Sequence, residues 1–293
     1  MTITIEPLGG LGNQLFVYAL GLQLARKHDT SLEADLWRFK NYTWHRYELD
    51  SIPTQISSTY TSRSRGQFTD AVRHGCRVIQ VARPWSMKVS RRLAIETTSY
   101  FNEEFMDLSS KVRLSGYFQS WRYFEEIADD LRREILSPVN PSPWLGVTRR
   151  NLQTAGKWVG VHVRIGNYRE AAGMGVIIED YYRSAISLVD KILGPLLIVV
   201  FSDEPDTVKS FSCFRGDRFR FIDAPESTRP VESLLVMSDA FALILGNSTF
   251  SWWAAFVQDC PDRLVVAPRP WLDRRDFNER DLFPSHWLTL GRS

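Results

Sequence analysis

Short apolar runs and longer amphipathic stretches alternate along this chain, the first with the two-residue repeat of strands and the second with the helical repeat of about 3.6 residues. Residues 2–5 read as a strand, 6–12 as a Pro/Gly turn, and 13–27 as a helix with Leu15, Tyr18, Ala19 and Leu22 on one face; 31–34 read as a second strand. That is a β-α-β opening. Periodicity fades over 43–109, where no element is assigned, and restarts at Lys157. Residues 158–163 read as a strand, 179–193 as a helix, 196–201 as a strand and 204–210 as a short helix. Residues 219–222, 231–237, 241–245, 248–257 and 264–266 continue the alternation. Strands alternating with helices predict an α/β fold built on parallel sheet.

Between the two patterned regions, residues 137–144 (Ser-Pro-Val-Asn-Pro-Ser-Pro-Trp) can continue neither a helix nor a central strand. Two α/β lobes are therefore expected, 1–140 and 141–293. The length of 293 residues agrees, since compact domains run to about 150 residues each. At 44% hydrophobic and 24% charged residues, the composition is globular rather than disordered. A net charge of +2 is too small for a nucleic-acid binder that works by counterion release over its whole surface, so no nucleic-acid partner is expected and any basic surface is local. The one candidate is 61–92, where Arg63, Arg65, Arg73, Arg77, Arg83, Lys88, Arg91 and Arg92 face a single acid, Asp70. It reads either as a solvated helix face or as a contact for an anionic partner, such as the headgroups of a membrane touched peripherally.

Cys76, Cys213 and Cys260 are odd in number and far apart, which excludes a disulfide framework and a CxxC metal knuckle. The first residues lack a signal-peptide pattern, and no apolar run approaches the span of about 18 residues that a membrane helix needs. A soluble, cytoplasmic protein is expected.

Candidate chemistry gathers where strands hand over to helices. Gly9-Gly10-Leu11-Gly12-Asn13-Gln14 allows close backbone approach and ends on free helix N–H donors, which suit phosphate or sugar oxygens as well as a plain tight turn. In Gly160-Val-His-Val-Arg-Ile-Gly-Asn-Tyr168, alternation sends Val159, Val161 and Val163 to one face and His162 and Arg164 to the other. Both then emerge at the carboxyl end of the strand, the ligand end of an open α/β sheet. There an Arg offers a planar fork to a diphosphate, or pairs with a carboxylate. Asp203, in Ser202-Asp-Glu-Pro205, suits either hydrogen bonding to a base or ribose, or helix capping. Ser248 and Thr249, in Gly246-Asn-Ser-Thr-Phe250, stand at the positive end of a helix whose Trp252 and Trp253 are expected to wedge it against the sheet. Three strand ends of this kind in one lobe point to an anion site that works without a metal.

These segments, with Gly116-Tyr-Phe-Gln-Ser-Trp-Arg-Tyr-Phe124 and Met237-Ser238, resemble in order the motifs of the inverting α-1,2-fucosyltransferases of bacterial type, glycosyltransferase family 11. The resemblance runs nearly the full length of the chain. It implies a GT-B-like pair of Rossmann-like lobes with an interlobe cleft, the acceptor lobe first and the GDP-sugar lobe second. It also implies L-fucose transfer from GDP-β-L-fucose to a glycan hydroxyl, with no cofactor and no metal. Arg164 matches the first Arg of the family's HxRRGD motif and is implied to grip the diphosphate. His162, Asp203, Ser248, Thr249 and Phe250 match motif positions around the nucleotide, and Asn13 a position in the first lobe facing the cleft. Ile165 and Asn167 depart from the second Arg and the Asp of HxRRGD. Protein O-fucosyltransferases have a similar H-x-R-I-G sequence, so the grip survives the first change, while Asn167 cannot serve as an anionic base. Met174 and Ile177 replace polar residues of the acceptor-side stretch. Asp35, at the end of the second strand, is the candidate base for the acceptor hydroxyl. The alternatives are a transferase of another GDP-6-deoxy sugar and an inactive glycan- or nucleotide-binding homologue.

Overall fold

A computed structural model describes residues 1–40, 44–60, 92–96, 98–169, 173–274 and 277–292. The basic segment 61–92, Arg92 apart, lies outside the described residues, as does Cys76. The chain forms two compact units, Met1–Ser137 with Phe277–Phe283, and Pro138–Asp276 with Pro284–Ser293.

In the first unit β1 (Thr2–Ile5) turns at Gly9 into α1 (Leu11–Lys27) and returns as β2 (Ser31–Asp35). There follow β3 (Ile56–Thr59), β4 (Leu93–Ile95), β5 (Arg113–Ser115) and α2 (Ala128–Ile135). The strands pair in parallel in the order β3-β2-β1-β5-β4. Gly9 takes a φ of 74°, which an L side chain avoids, and this lets the helix begin two residues before Asn13. α1 is buried nearly all round rather than on one face. The sheet covers one side, where Gly21 leaves no room for a Cβ, which would fall 2.6 Å from Ile5 Cγ2. The other side meets residues 121–127 and α2: Phe16 packs on Phe124 at 6.0 Å, and the Tyr18 hydroxyl donates to Glu134 at 2.6 Å. Segment 277–283 joins this unit although it follows the second in the chain, a return that a single division at 140 leaves out. Ser120 Oγ donates to the Asp281 carbonyl at 2.9 Å, and Arg122 pairs with the Asp281 carboxylate at 3.2 Å.

The second unit opens with α3 (Pro143–Thr154), which starts inside the proline-rich stretch because a first-turn proline gives up an N–H that has no helical partner. Then come β6 (Trp158–Val163), α4 (Glu179–Leu193), β7 (Leu197–Ser202), α5 (Pro205–Lys209), β8 (Phe219–Phe221) and α6 (Pro230–Ser238). β9 (Ala242–Ile244), α7 (Thr249–Val257), β10 (Val265–Arg269) and β11 (Leu288–Gly291) complete it. All strand pairs are parallel, in the order β11-β10-β9-β6-β7-β8. Every residue of β6 is buried, as a central strand covered on both faces requires. The chain runs outward from β6 through β7 to β8, then crosses back to β9 on the other side of β6. That reversal is the topological switch point of a doubly wound sheet, and in such sheets ligands bind outside the carboxyl ends of the two strands that flank it, here β6 and β9. Among the described residues no helix is long and apolar enough to cross a membrane.

Candidate active site

The switch point of the second unit is where His162 and Arg164 emerge. His162 is buried, its imidazole pushed down to about 3 from the ordinary 6.5, first by burial and then by the Arg164 charge, so the ring is neutral near neutral pH. It lies 5.6 Å from the Phe250 ring, and its backbone carbonyl accepts from the Tyr182 hydroxyl at 3.3 Å. Gly246 allows β9 to end against it: a Cβ there would stand 2.7 Å from the His162 carbonyl oxygen.

Arg164 keeps 22% of its side chain exposed and pairs through Nη1 with Asp203 Oδ2 at 3.0 Å. The other oxygen of Asp203 accepts from the Ile165 N–H at 3.0 Å. Asp203 therefore ties the ends of β6 and β7 together and fixes the guanidinium. Ser202 Oγ closes the turn into α5 by accepting from the Glu204 N–H at 3.0 Å, which relieves Asp203 of capping. Gly166 makes this clamp possible, because a Cβ at that position would collide with the Asp203 carboxylate. The Tyr168 ring lies 5.4 Å from the Arg164 guanidinium.

Ser248 caps α7, its Oγ accepting from the Phe250 N–H at 3.3 Å, so Thr249 begins the helix at its positive end. Ser251 Oγ donates to the carbonyls of Gly246 and Ser248 at 3.1 and 3.0 Å and holds the turn shut. Trp252 and Trp253 are fully buried and meet edge to face at 5.2 Å, which makes them packing residues. A fixed guanidinium beside a helix N-terminus can receive a diphosphate and hold the charge that builds on it. Among the described residues no group of three or more His, Cys, Asp or Glu is placed to hold a metal ion.

The structure thus gathers His162, Arg164, Asp203, Ser248, Thr249 and Phe250 in the second unit, while Asn13 and Asp35 belong to the first. Asn13 Oδ1 accepts from Gln119 Nε2 at 3.0 Å, and this joins the turn after β1 to the segment after β5. The neighbouring Gln14 is structural: its amide donates to the carbonyls of Gly9 and Arg46 and accepts from the Glu48 N–H. Asp35, the candidate base, lies at the end of β2. It has no exposed surface, binds Arg113 Nη1 at 2.6 Å, and accepts from the Trp37 N–H at 3.2 Å. A carboxylate buried and engaged in this way holds β2 to β5 across β1.

Sequence reasoning missed Tyr168 and Asn247. The Asn247 side-chain amide donates to the carbonyls of Met174 and Gly175 at 2.8 and 2.9 Å, and the Asn247 backbone carbonyl accepts from the Tyr168 hydroxyl at 3.1 Å. The only signal was their position beside Arg164 and Ser248. Glu96 was missed as well, in the stretch without periodicity; both its oxygens accept backbone N–H bonds, from Tyr117 at 2.6 Å and Phe118 at 2.7 Å.

The family model for Glycosyl transferase family 11 matches residues 94–291. An alpha-1,2-colitosyltransferase of Escherichia coli is 30% identical over 304 aligned positions that cover 100% of both chains. A galactoside alpha-(1,2)-fucosyltransferase 2 of Gorilla gorilla gorilla is 23% identical and covers 87% of this chain and 68% of its own. Among solved structures, that of the NodZ alpha-1,6-fucosyltransferase soaked with GDP-fucose aligns with a TM-score of 0.52 at 13% identity, covering 87% of this chain and 92% of that one. The last likeness is one of fold, and it agrees with a GT-B arrangement of two parallel sheets.

Proposed function

This chain belongs to glycosyltransferase family 11, and from that premise we propose that it moves L-fucose from GDP-β-L-fucose to a glycan hydroxyl with inversion and without a metal. A GDP-linked donor suits a family 11 glycosyltransferase with fucosyl- and colitosyltransferases among its relatives. The observation that carries the reading is Arg164, held by Asp203 at the switch point next to the capped start of α7. The acceptor oxygen forms its bond to C1 as the bond from C1 to the β-phosphate oxygen breaks. The bonding pair stays on GDP, the acceptor hydroxyl releases its proton to solvent, and negative charge collects where the guanidinium and the helix tip are fixed beforehand. Preorganised positive charge at a departing oxygen is among the strongest single contributions to catalysis.

A second reading has its own support. The relative at 30% identity is by its name a colitosyltransferase, and colitose is L-fucose without the 3-hydroxyl. Nothing in the diphosphate grip distinguishes the two sugars.

The test is GDP release in excess EDTA with a glycan panel, comparing GDP-L-fucose, GDP-L-colitose and GDP-mannose. Turnover with fucose is expected; turnover with colitose alone would favour the second reading, and with neither would overturn both. A strict need for added Mn²⁺ would contradict transfer without a metal. Arg164→Ala is expected to lose transfer and to weaken GDP binding while melting like the parent; near-parental turnover would remove the leaving-group role from Arg164.

A further inference from the structure

Arg164 and the tip of α7 come from different strand ends, yet the proposed reaction needs both on one diphosphate. Something must set the distance between them. Asp203 cannot, because it ties β6 to β7 on the side away from β9. Tyr168 does span the right pair. Its backbone N–H donates to the Ile165 carbonyl at 2.9 Å, which plants it on the end of β6. Its ring lies under the Arg164 guanidinium, and its hydroxyl reaches across to the carbonyl of Asn247, the residue before the α7 cap. The Asn247 side chain is in turn fastened to Met174 and Gly175 by two hydrogen bonds, so the anchor is itself fixed.

We propose that Tyr168 is a positioning residue for the diphosphate grip: its hydroxyl, docked on the Asn247 carbonyl, holds its ring beneath Arg164 and fixes the guanidinium at a set distance from the N-terminus of α7. The inference rests on the reading that this site binds a GDP-linked donor. Asp203 restrains Arg164 from the β7 side and Tyr168 from the β9 side, so losing either leaves the charge in place but lets the fork swing. A residue with this job matters to the diphosphate and not to the nucleoside.

The test compares binding of GDP and of guanosine to the full chain, by calorimetry and competition, for the parent, Tyr168→Phe and Tyr168→Leu. Losing ring and hydroxyl together is expected to weaken GDP about ten-fold, from one cation–π contact and one hydrogen bond, and to leave guanosine unchanged. Tyr168→Phe keeps the ring and is expected to fall between. In transfer assays kcat should drop more than KM for the donor rises, since the charge on the diphosphate grows as the bond breaks. Equal weakening of GDP and guanosine, or no weakening of either, would overturn the inference alone. A parent protein that binds neither ligand would instead overturn the reading on which it stands.

Discussion

Arg164 meets a carboxylate, an aromatic face and a strand end within a few ångströms, and its chemistry follows from those three. Its neighbour His162 makes a prediction about pH. Because burial holds the folded-state imidazole at about 3 against the ordinary 6.5, the unfolded chain takes up a proton first as pH falls below about 6.5. The stability carried by the neutral ring is therefore complete above about 6.5 and drains away toward about 3, by up to about 1.4 kcal/mol per pH unit. Urea unfolding at pH 7, 6 and 5 should show the parent losing stability more steeply than His162→Gln; parallel slopes would mean the imidazole is not held neutral. Asp35 makes the opposite kind of prediction. Asp35→Asn should lower stability by about 3 kcal/mol, as breaking a buried pair does, while leaving kcat within a few-fold when assayed well below melting. A collapse of kcat at unchanged melting temperature would instead identify Asp35 as the base. Its strand-end position was legible in the sequence, but its partner was not. Arg113 lies on β5, 78 residues away, and reaches Asp35 across β1 only because of a strand order that local pattern does not reveal.

At the scale of elements, the site is made where β6, β7 and β9 end, and glycines decide how close those ends come. Gly166→Ala should displace the Asp203 carboxylate and loosen the Arg164 clamp without strain in the backbone, since the obstacle is the end of one side chain. Transfer is expected to fall about ten-fold or more, the scale of losing one charge-assisted hydrogen bond, with a melting temperature close to the parent's. Unchanged transfer would show that the clamp is dispensable. β6, β7 and α7 were readable because each is an apolar run bounded by Gly, Pro or Ser. β4 and β5 have three residues apiece, too few to show a period. α2 sets Leu131 and Ile135 one turn apart among charged neighbours, a stripe of two buried residues in an eight-residue helix, too short to stand out along the chain. The full burial of α1 was illegible for a different reason: what covers its far side, residues 121–127 and α2, comes about a hundred residues later. Arg263 is likewise silent in sequence, yet it is buried and gives four hydrogen bonds to the carbonyls of Ser238, Ala240, Ala255 and Gln258, which close the ends of α6 and α7.

For the whole molecule, the alternation of strands and helices was enough to give two α/β units and parallel sheets, because that alternation is a property of short windows. The order of strands within each sheet, and the return of 277–283 to the first unit, depend on contacts distant in sequence. Only with the order β8-β7-β6-β9-β10-β11 does the switch point fall between β6 and β9, with Arg164 just past the end of β6, Asp203 just past the end of β7 and Ser248 at the start of α7. The central claim is that the donor's diphosphate lodges there. A crystal structure of the full chain with GDP tests it most directly: the β-phosphate should stand within hydrogen-bonding distance of the Arg164 guanidinium and of an N–H in the first turn of α7. A diphosphate bound out of reach of both would contradict it.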